Sequence, residues 1–500
     1  MSVQQQAAVE MQPLCLSESY ADNVRRMDTL LAINESFDLL KKTVRIGQDE
    51  LTFYYIDGFV KDGTMTKVIM HLMGLQSLDG MSATAFMQSH MPYVESEVTA
   101  DGESILRAVL SGATVILGST FGAECLVVDA RSYPARDTSE PEGDLVMRGA
   151  RDGFVETMIF NTALIRRRIR HPALTMTYFS IGKYSRSDVC LCYMKDRADA
   201  RRVQALQKRL SSLQVDALTM GQESLMEVLI PSRWYNPFPK IRMTERPDAA
   251  AAQLLEGSIL LICDNSPQVM VLPTGIFDFL QETNDFYFPP LTGSYIRLVR
   301  LSIFFLALFF VPAWYLLVRH ASLVPEWLAF AIPEETGRIP LLAQLLLVEF
   351  IIDGLRMASL NTPSMLSNSL SVVGGLILGD FAVQIGWLIP EVILYMAFVA
   401  IANYTQRSYE LGYAIKFLRI LLLILTALFG LWGFVAGVVA IIILLASNTT
   451  ADADRSYLYP LIPFDGRALL SLVFRLRKRE ENMEKNRAPV PRKTRSAHRA

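Results

Sequence analysis

The stretch LSIFFLALFFVPAWYLLV, residues 301–318, decides the fold class: it carries no charge, with Arg297 and Arg300 before it and Arg319 after it. At about 1.5 Å per residue, a helix of this length covers nearly the whole hydrocarbon core of a bilayer. Pro312 inside it is tolerated far better in a membrane than in a soluble helix. Further apolar runs lie at 370–388, 390–404 (short) and 420–446, the last long enough to tilt or to reach a headgroup layer. Together they predict a transmembrane helical domain over 291–447. The run 340–357 is also apolar but carries Glu349, Asp353 and Arg356 at i, i+4 and i+7, along one helix face. Such a stripe lies in an interface or packs inward rather than facing lipid, and the segment reads as interfacial or partly inserted.

Before residue 290 charges are spread evenly and Gly/Pro punctuation recurs, as in a soluble region. Strand candidates at 51–56, 114–117, 124–129, 175–181, 189–194, 259–264 and 269–272 alternate with helix candidates at 21–42, 64–73, 104–109, 199–210 and 224–229. The expected class is therefore an α/β soluble N-terminal region of two subdomains followed by an α-helical transmembrane bundle. The expected plan is a flexible N-terminus 1–25, subdomains 26–165 and 166–290, the helical domain, and a segment with a basic tail at 448–500. From Arg475 onward ten basic residues face three acidic ones, which places the tail in the cytoplasm and predicts disorder beyond Glu480. Arg297 and Arg300 place the N-terminal region on the same side, so the number of spans is even, and four fits. Four spans leave Arg407, Lys416 and Arg419 on the far side.

The start MSVQQQAAVEMQPLC has neither a basic n-region nor an apolar h-region, so no cleavable signal peptide is expected. A net charge of −2 argues against a nucleic-acid partner. Cys15, Cys125, Cys190, Cys192 and Cys263 are expected reduced and buried, and no His/Cys spacing suggests a metal. Phosphate-loop, zinc-protease, nucleophile-elbow and dinucleotide motifs are all missing, so the reading is of a non-enzyme without cofactors.

The segment 364–388, SMLSNSLSVVGGLILGDFAVQIGWL, differs from the other apolar runs. Ser367, Ser371, Gly375, Gly379, Ala382 and Gly386 form a stripe of small residues at spacings of 4, 4, 4, 3 and 4. The stripe serves close helix packing, or it surrounds a central pathway in an oligomer, with Asn368, Ser371, Asp380 and Gln384 supplying polar groups. Asp380 near mid-span is costly unless paired or wetted. Gly430, Gly433 and Gly437 read as packing positions.

Three soluble clusters stand out: YIDG at 55–58; RGARDGFVE at 148–156, leading to a helix ending RRRIR at 166–170; and PFPKIRMTERPD at 237–248. Singly they read as a turn, a solvated helix face and a rigid charged connector. Together with EGSI at 256–259, DNSP at 264–267, DFY at 285–287 and VGG at 373–375, they resemble the A-subunit family of spore germinant receptors over about 25–475. PEVILY at 390–395 and SYEL at 408–411 look most like its stage V sporulation protein AF branch. The resemblance implies a homo-oligomeric, pentameric channel for monovalent ions in the spore inner membrane, working with other germination proteins there. Carried onto this chain, it makes 364–388 the pore helix, lined by Asn368, Ser371, Val372, Gly375, Gly379 and Asp380. Ser371, Val372 and Gly375 form its constriction, and Glu349, Asp353 and Arg356 are gating or structural residues. The family's Arg-Glu-Ala run and Arg-x-Pro are replaced here by IDGLRMA at 352–358 and NTP at 361–363. A non-conducting scaffold that clusters germination proteins is the competing expectation.

Overall fold

The computed structural model describes residues 14–133, 149–230, 234–282, 284–334, 337–361, 381–406, 408–448, 450 and 456–474. The chain divides into two compact units. The first holds 1–279, 407–417 and 438–457, and the second holds 280–406, 418–437 and 458–500.

The first unit contains two antiparallel five-stranded sheets. Helix α1 (Tyr20–Leu31) precedes β1 (Leu39–Ile46) and β2 (Asp49–Ile56); then come α2 (Asp62–Met73), α3 (Ala83–His90), β3 (Ser96–Thr99), α4 (Gly102–Leu110), β4 (Thr114–Gly118) and β5 (Cys125–Val128). The second half repeats that order with α5 (Met158–Arg168), β6 (Leu174–Ile181), β7 (Ser187–Met194), α6 (Ala200–Ser212), α7 (Gln222–Leu229), β8 (Arg242–Thr244), α8 (Pro247–Leu255), β9 (Ile259–Cys263) and β10 (Val269–Leu272). Strand order also repeats, β1-β2-β4-β5-β3 and β6-β7-β9-β10-β8. The α/β region is thus one nine-element unit used twice.

Each sheet is buried on both faces, which explains why its central strands read as unbroken apolar runs. On β7, Val189 and Leu191 join Val203, Leu206 and Leu210 of α6 in one core. Cys190 and Cys192 point to the opposite face, against Leu164 of α5 and Leu254 of α8. The first sheet is covered likewise, by α2 and α3 on one face and by α1 and α4 on the other.

Several expectations need correction. The helix read at 21–42 ends at Leu31, because Ala32 turns left-handed (φ 49°) and its N–H caps the carbonyls of Asp28 and Thr29. Leu39–Ile46 is instead a strand, which its Thr-Val-Arg-Ile end favours through β-branching. The connector read at 237–248 contains β8, paired with β10. Within the flexible start expected at 1–25, Leu14 is buried and Cys15 bridges Asp101. Cys15 is exposed, whereas the other four cysteines are buried and free, as expected.

In the second unit, α9 (Ile276–Phe279, at the end of the first) and α10 (Asn284–Tyr287) lead to α11 (Pro290–Arg319). Helices α12 (Leu341–Asn361), α13 (Pro390–Tyr404), α14 (Tyr409–Phe429), α15 (Leu431–Ser447) and α16 (Gly466–Val473) follow, with 409–417 of α14 and 438–447 of α15 counted in the first unit. Among the described residues α11 and α14 are the helices long and apolar enough to cross a membrane. The run 420–446 is not one span. Gly430 takes φ 62° and separates α14 from α15, so it is a turn rather than the packing position expected of it. Gly433 and Gly437 do pack: a Cβ on Gly433 would lie 1.9 Å from the Leu425 carbonyl, and one on Gly437 2.5 Å from Leu422 Cδ1. These contacts run in opposite senses from Gly430, which describes a close helical hairpin.

Candidate functional site

The described part of the candidate site lies where α11, α12, α13 and α14 pack together. Val311 and Trp314 of α11, Leu345 and Val348 of α12, Val392, Met396 and Val399 of α13 and Leu423 of α14 share one apolar core. Into this core α12 projects Glu349 and α14 projects Arg419, which are 7% and 2% exposed. Arg419 Nη2 donates to Glu349 Oε1 at 2.7 Å, and Nη1 donates to the Ala307 carbonyl of α11 at 2.9 Å. Asp353, one turn along α12, lies within electrostatic reach of the same guanidinium. Arg356, a further turn along, stands 5.7 Å from the Tyr404 ring of α13.

The charged stripe of α12 therefore packs inward at Glu349. An isolated charge in an apolar helix bundle costs several kcal/mol, so Glu349 and Arg419 each make the other's position tenable. Gln344 closes the neighbouring turn: its Nε2 donates to Ile339 O at 2.7 Å and its Oε1 accepts from Ile389 N at 3.0 Å, tying α12 to the entry of α13.

A second buried charge cluster anchors the start of α11. Asp285 is fully buried and accepts from Arg300 Nη1 and Nη2 at 2.9 and 3.0 Å and from Arg297 Nε at 3.1 Å. Arg300 also pairs with Glu282 at 2.9 Å. In sequence both arginines read as markers of membrane side, and a count of four spans leaves Arg419 on the far side of the membrane rather than paired inside the bundle. For Arg419 the missed signal was its position ten residues into a 21-residue apolar helix, where a cation needs a partner. Asn368, Ser371, Val372, Gly375, Gly379 and Asp380 lie outside the described residues. Along the chain, α12 ends at Asn361, three residues before residue 364.

In the α/β region the separate sequence clusters come together. Phe154 N donates to Glu245 O at 2.8 Å, Arg246 Nη2 to Ala150 O at 3.1 Å, and Asn265 N to Glu156 O at 2.7 Å. Met158 N at the start of α5 donates to Asp264 Oδ1 at 2.9 Å. The helix end RRRIR is not a solvated face, because Arg166 is fully buried against Asp38. Burial beside Asp62 and Asp38 raises the Asp57 carboxyl above its ordinary range. Nothing in this set has the layout of a nucleophile with its base, and among the described residues no group of three metal-ligating side chains forms.

Residues 28–487 match the family described as Bacillus/Clostridium GerA spore germination protein. The chain is 34% identical over 462 residues to stage V sporulation protein AF of Bacillus subtilis (strain 168), covering 92% of each protein. It is 26% identical over 487 residues to spore germination protein KA of the same organism, covering 95% of this chain and 88% of that one. A solved N-terminal domain of the A subunit of the Bacillus megaterium spore germinant receptor GerK3 aligns at 21% identity and a TM-score of 0.38, covering 52% of this chain and 96% of that domain. The chain belongs to the GerA family of spore germination proteins.

Proposed function

We propose that this chain is a subunit of an oligomeric gated ion channel in the spore inner membrane, which releases monovalent ions during germination. The observation that carries the reading is the buried Arg419–Glu349 pair. Charges placed inside apolar helices are expensive and mark ion pathways or the elements that move them. This pair fastens α12 to α14, and α12 ends three residues before 364–388, where Asn368, Ser371, Val372, Gly375, Gly379 and Asp380 would line the path. Breaking the pair would free α12 and with it the segment that follows. Asp353 and Arg356 extend the same polar face and would take part in gating. Membership of the GerA family supports a germination role with other germination proteins as partners. A pentamer is the assembly in which one helix per subunit would enclose such a path.

The test is ion flux from proteoliposomes holding the purified chain, before and after Val372→Trp or Ser371→Arg. Conduction that these changes abolish supports the channel. A wild-type protein that never conducts, although germination depends on it, would favour the scaffold. In the same assay Glu349→Gln, which keeps shape and removes the charge, is expected to shift the open fraction at least severalfold. An unchanged open fraction would remove the pair from gating.

A further inference from the structure

We propose that Trp234 and Tyr235 are an interfacial anchor: their rings lie in the lipid headgroup layer and hold the α/β unit against the bilayer. Trp234 is 97% exposed and Tyr235 51%, with ring centroids 6.1 Å apart at an angle of 89°. The chain on either side is fixed to the core. Ile230, just after α7, and Ile241, just before β8, are buried in one cluster, and Phe238 between them is buried too. The rings are thus held outward by a packed base. A tryptophan carries roughly 200 Å² of mostly apolar surface, and leaving all of it in water is unfavourable.

What covers the pair follows from where it stands. Residues 409–417, the first turns of α14, belong to the same compact unit. Glu410 there lies within electrostatic reach of Glu223 on α7 and of Tyr457. The Tyr457 ring in turn stands 6.1 Å from that of Phe238. Segments on both sides of Trp234 therefore approach the start of α14, a helix long and apolar enough to cross a membrane. Those first turns set Tyr409, Tyr413 and Phe417 along one exposed helix face, with Tyr413 and Phe417 stacked at 6.3 Å. Tyrosine and tryptophan collect at membrane–water interfaces because the ring enters the apolar layer while the O–H or N–H stays with the headgroups. Trp234 and Tyr235 bring the same chemistry from the α/β fold to the root of that helix. Two rings fall far short of the roughly 800 Å² that a stable protein interface takes from each partner, which favours a lipid surface over a second protein. The inference rests on the reading that α14 enters the membrane, and it adds a lipid contact made by the α/β unit.

The test uses the full-length protein in nanodiscs of ordinary lipid and of lipid brominated at a shallow position of the acyl chain, since bromine quenches tryptophan at close range. The chain has five tryptophans, so the emission of Trp234 is read as the difference between the protein and its Trp234→Phe variant in the same discs. At so exposed a position the change leaves the core untouched. That difference should fall about twofold or more in the brominated discs. An undiminished difference would overturn the anchor. Phe417→Trp, made in the Trp234→Phe background, tests the underlying reading separately, and its added emission should be quenched as well. Quenching at 417 without quenching at 234 would leave α14 in the membrane and refute the anchor. Quenching at neither would overturn the anchor and the placement of Phe417 in lipid together. Quenching at 234 alone would uphold the anchor and refute that placement.

Discussion

The guanidinium of Arg166 is fully buried and meets five acceptors: both carboxylate oxygens of Asp38 at 2.7 and 3.0 Å, Ser36 Oγ, and the carbonyls of His171 and Leu174. Asp38 belongs to the turn before β1 and Arg166 to α5, so this one side chain joins the two sheet modules. Removing one partner of a buried pair leaves the other charge desolvated, at a cost of about 3–5 kcal/mol. Arg166→Ala should lower the denaturation midpoint of the α/β region accordingly. A loss below about 1 kcal/mol would show the pair to be dispensable. Its sequence context, three arginines at a helix end, resembles a solvated C-terminus, and only the tertiary position of Asp38 distinguishes Arg166 from Arg167. The cysteines allow a second test. Burial pushes the Cys125 thiol up to about 12 and that of Cys263 to about 11, and raises Cys190 and Cys192 as well. A native-state pKa above the ordinary thiol value of about 8.5 means the unfolded chain ionises first as pH rises, so this contribution to stability is full below about pH 8 and fades above it. At pH 8 a thiol reagent should titrate Cys15 fast and the other four only after denaturant is added. Two or more fast thiols in the native protein would contradict the burial.

At the scale of elements, what could be read from sequence follows from how local the signal is. The strand candidates at 51–56, 189–194 and 259–264 coincide with β2, β7 and β9 because runs such as VCLCYM bury both faces and have no helical period. β1 was lost because Leu39–Ile46 mixes leucines with Lys41 and Lys42, which mimics an amphipathic helix. β8 was lost because three residues between prolines carry no period at all. In the helical unit hydropathy located the apolar mass at 420–446 but not its fold, since a membrane-length run looks the same whether straight or bent back. Gly430, Gly433 and Gly437 held the missing information, and the structure assigns one to the turn and two to contact. The two contact glycines should differ. At Gly433 a methyl group would meet the Leu425 backbone, which cannot yield, so Gly433→Ala should open the hairpin and cost several kcal/mol. At Gly437 it would meet the tip of the Leu422 side chain, which can rotate away, so Gly437→Ala should cost about 1 kcal/mol or less. Thermal unfolding in detergent checks the order, and a larger loss at Gly437 would refute the hairpin contact.

At the scale of the molecule, the duplicated α/β module and the apolar helices raise a question of sidedness that Tyr457 helps to answer: its hydroxyl donates to the Pro239 carbonyl at 2.7 Å, and its own carbonyl accepts from Ile276 N at 3.0 Å. Tyr457 follows all the apolar helices in the chain, yet it is packed in the same compact unit as the two sheets. A soluble domain cannot share its core with a residue across a bilayer. If the helices cross, they must therefore cross an even number of times between 290 and 456. The charge count argued the same from the basic tail, by a rule about flanking residues rather than by contact. The α14–α15 hairpin has the right form for an even count, since a hairpin that entered the membrane would return the chain to the side it came from. The prediction can be checked with single cysteines in a Cys15→Ser background. Val94 is 96% exposed on the α/β unit, and Phe464 is 74% exposed seven residues beyond Tyr457, a separation too short to cross a bilayer. In sealed, oriented vesicles a membrane-impermeant maleimide should label Val94→Cys and Phe464→Cys from one side only, and from the same side. Labelling from opposite sides would mean an odd number of crossings, and Tyr457 could not then occupy its slot between Pro239 and Ile276.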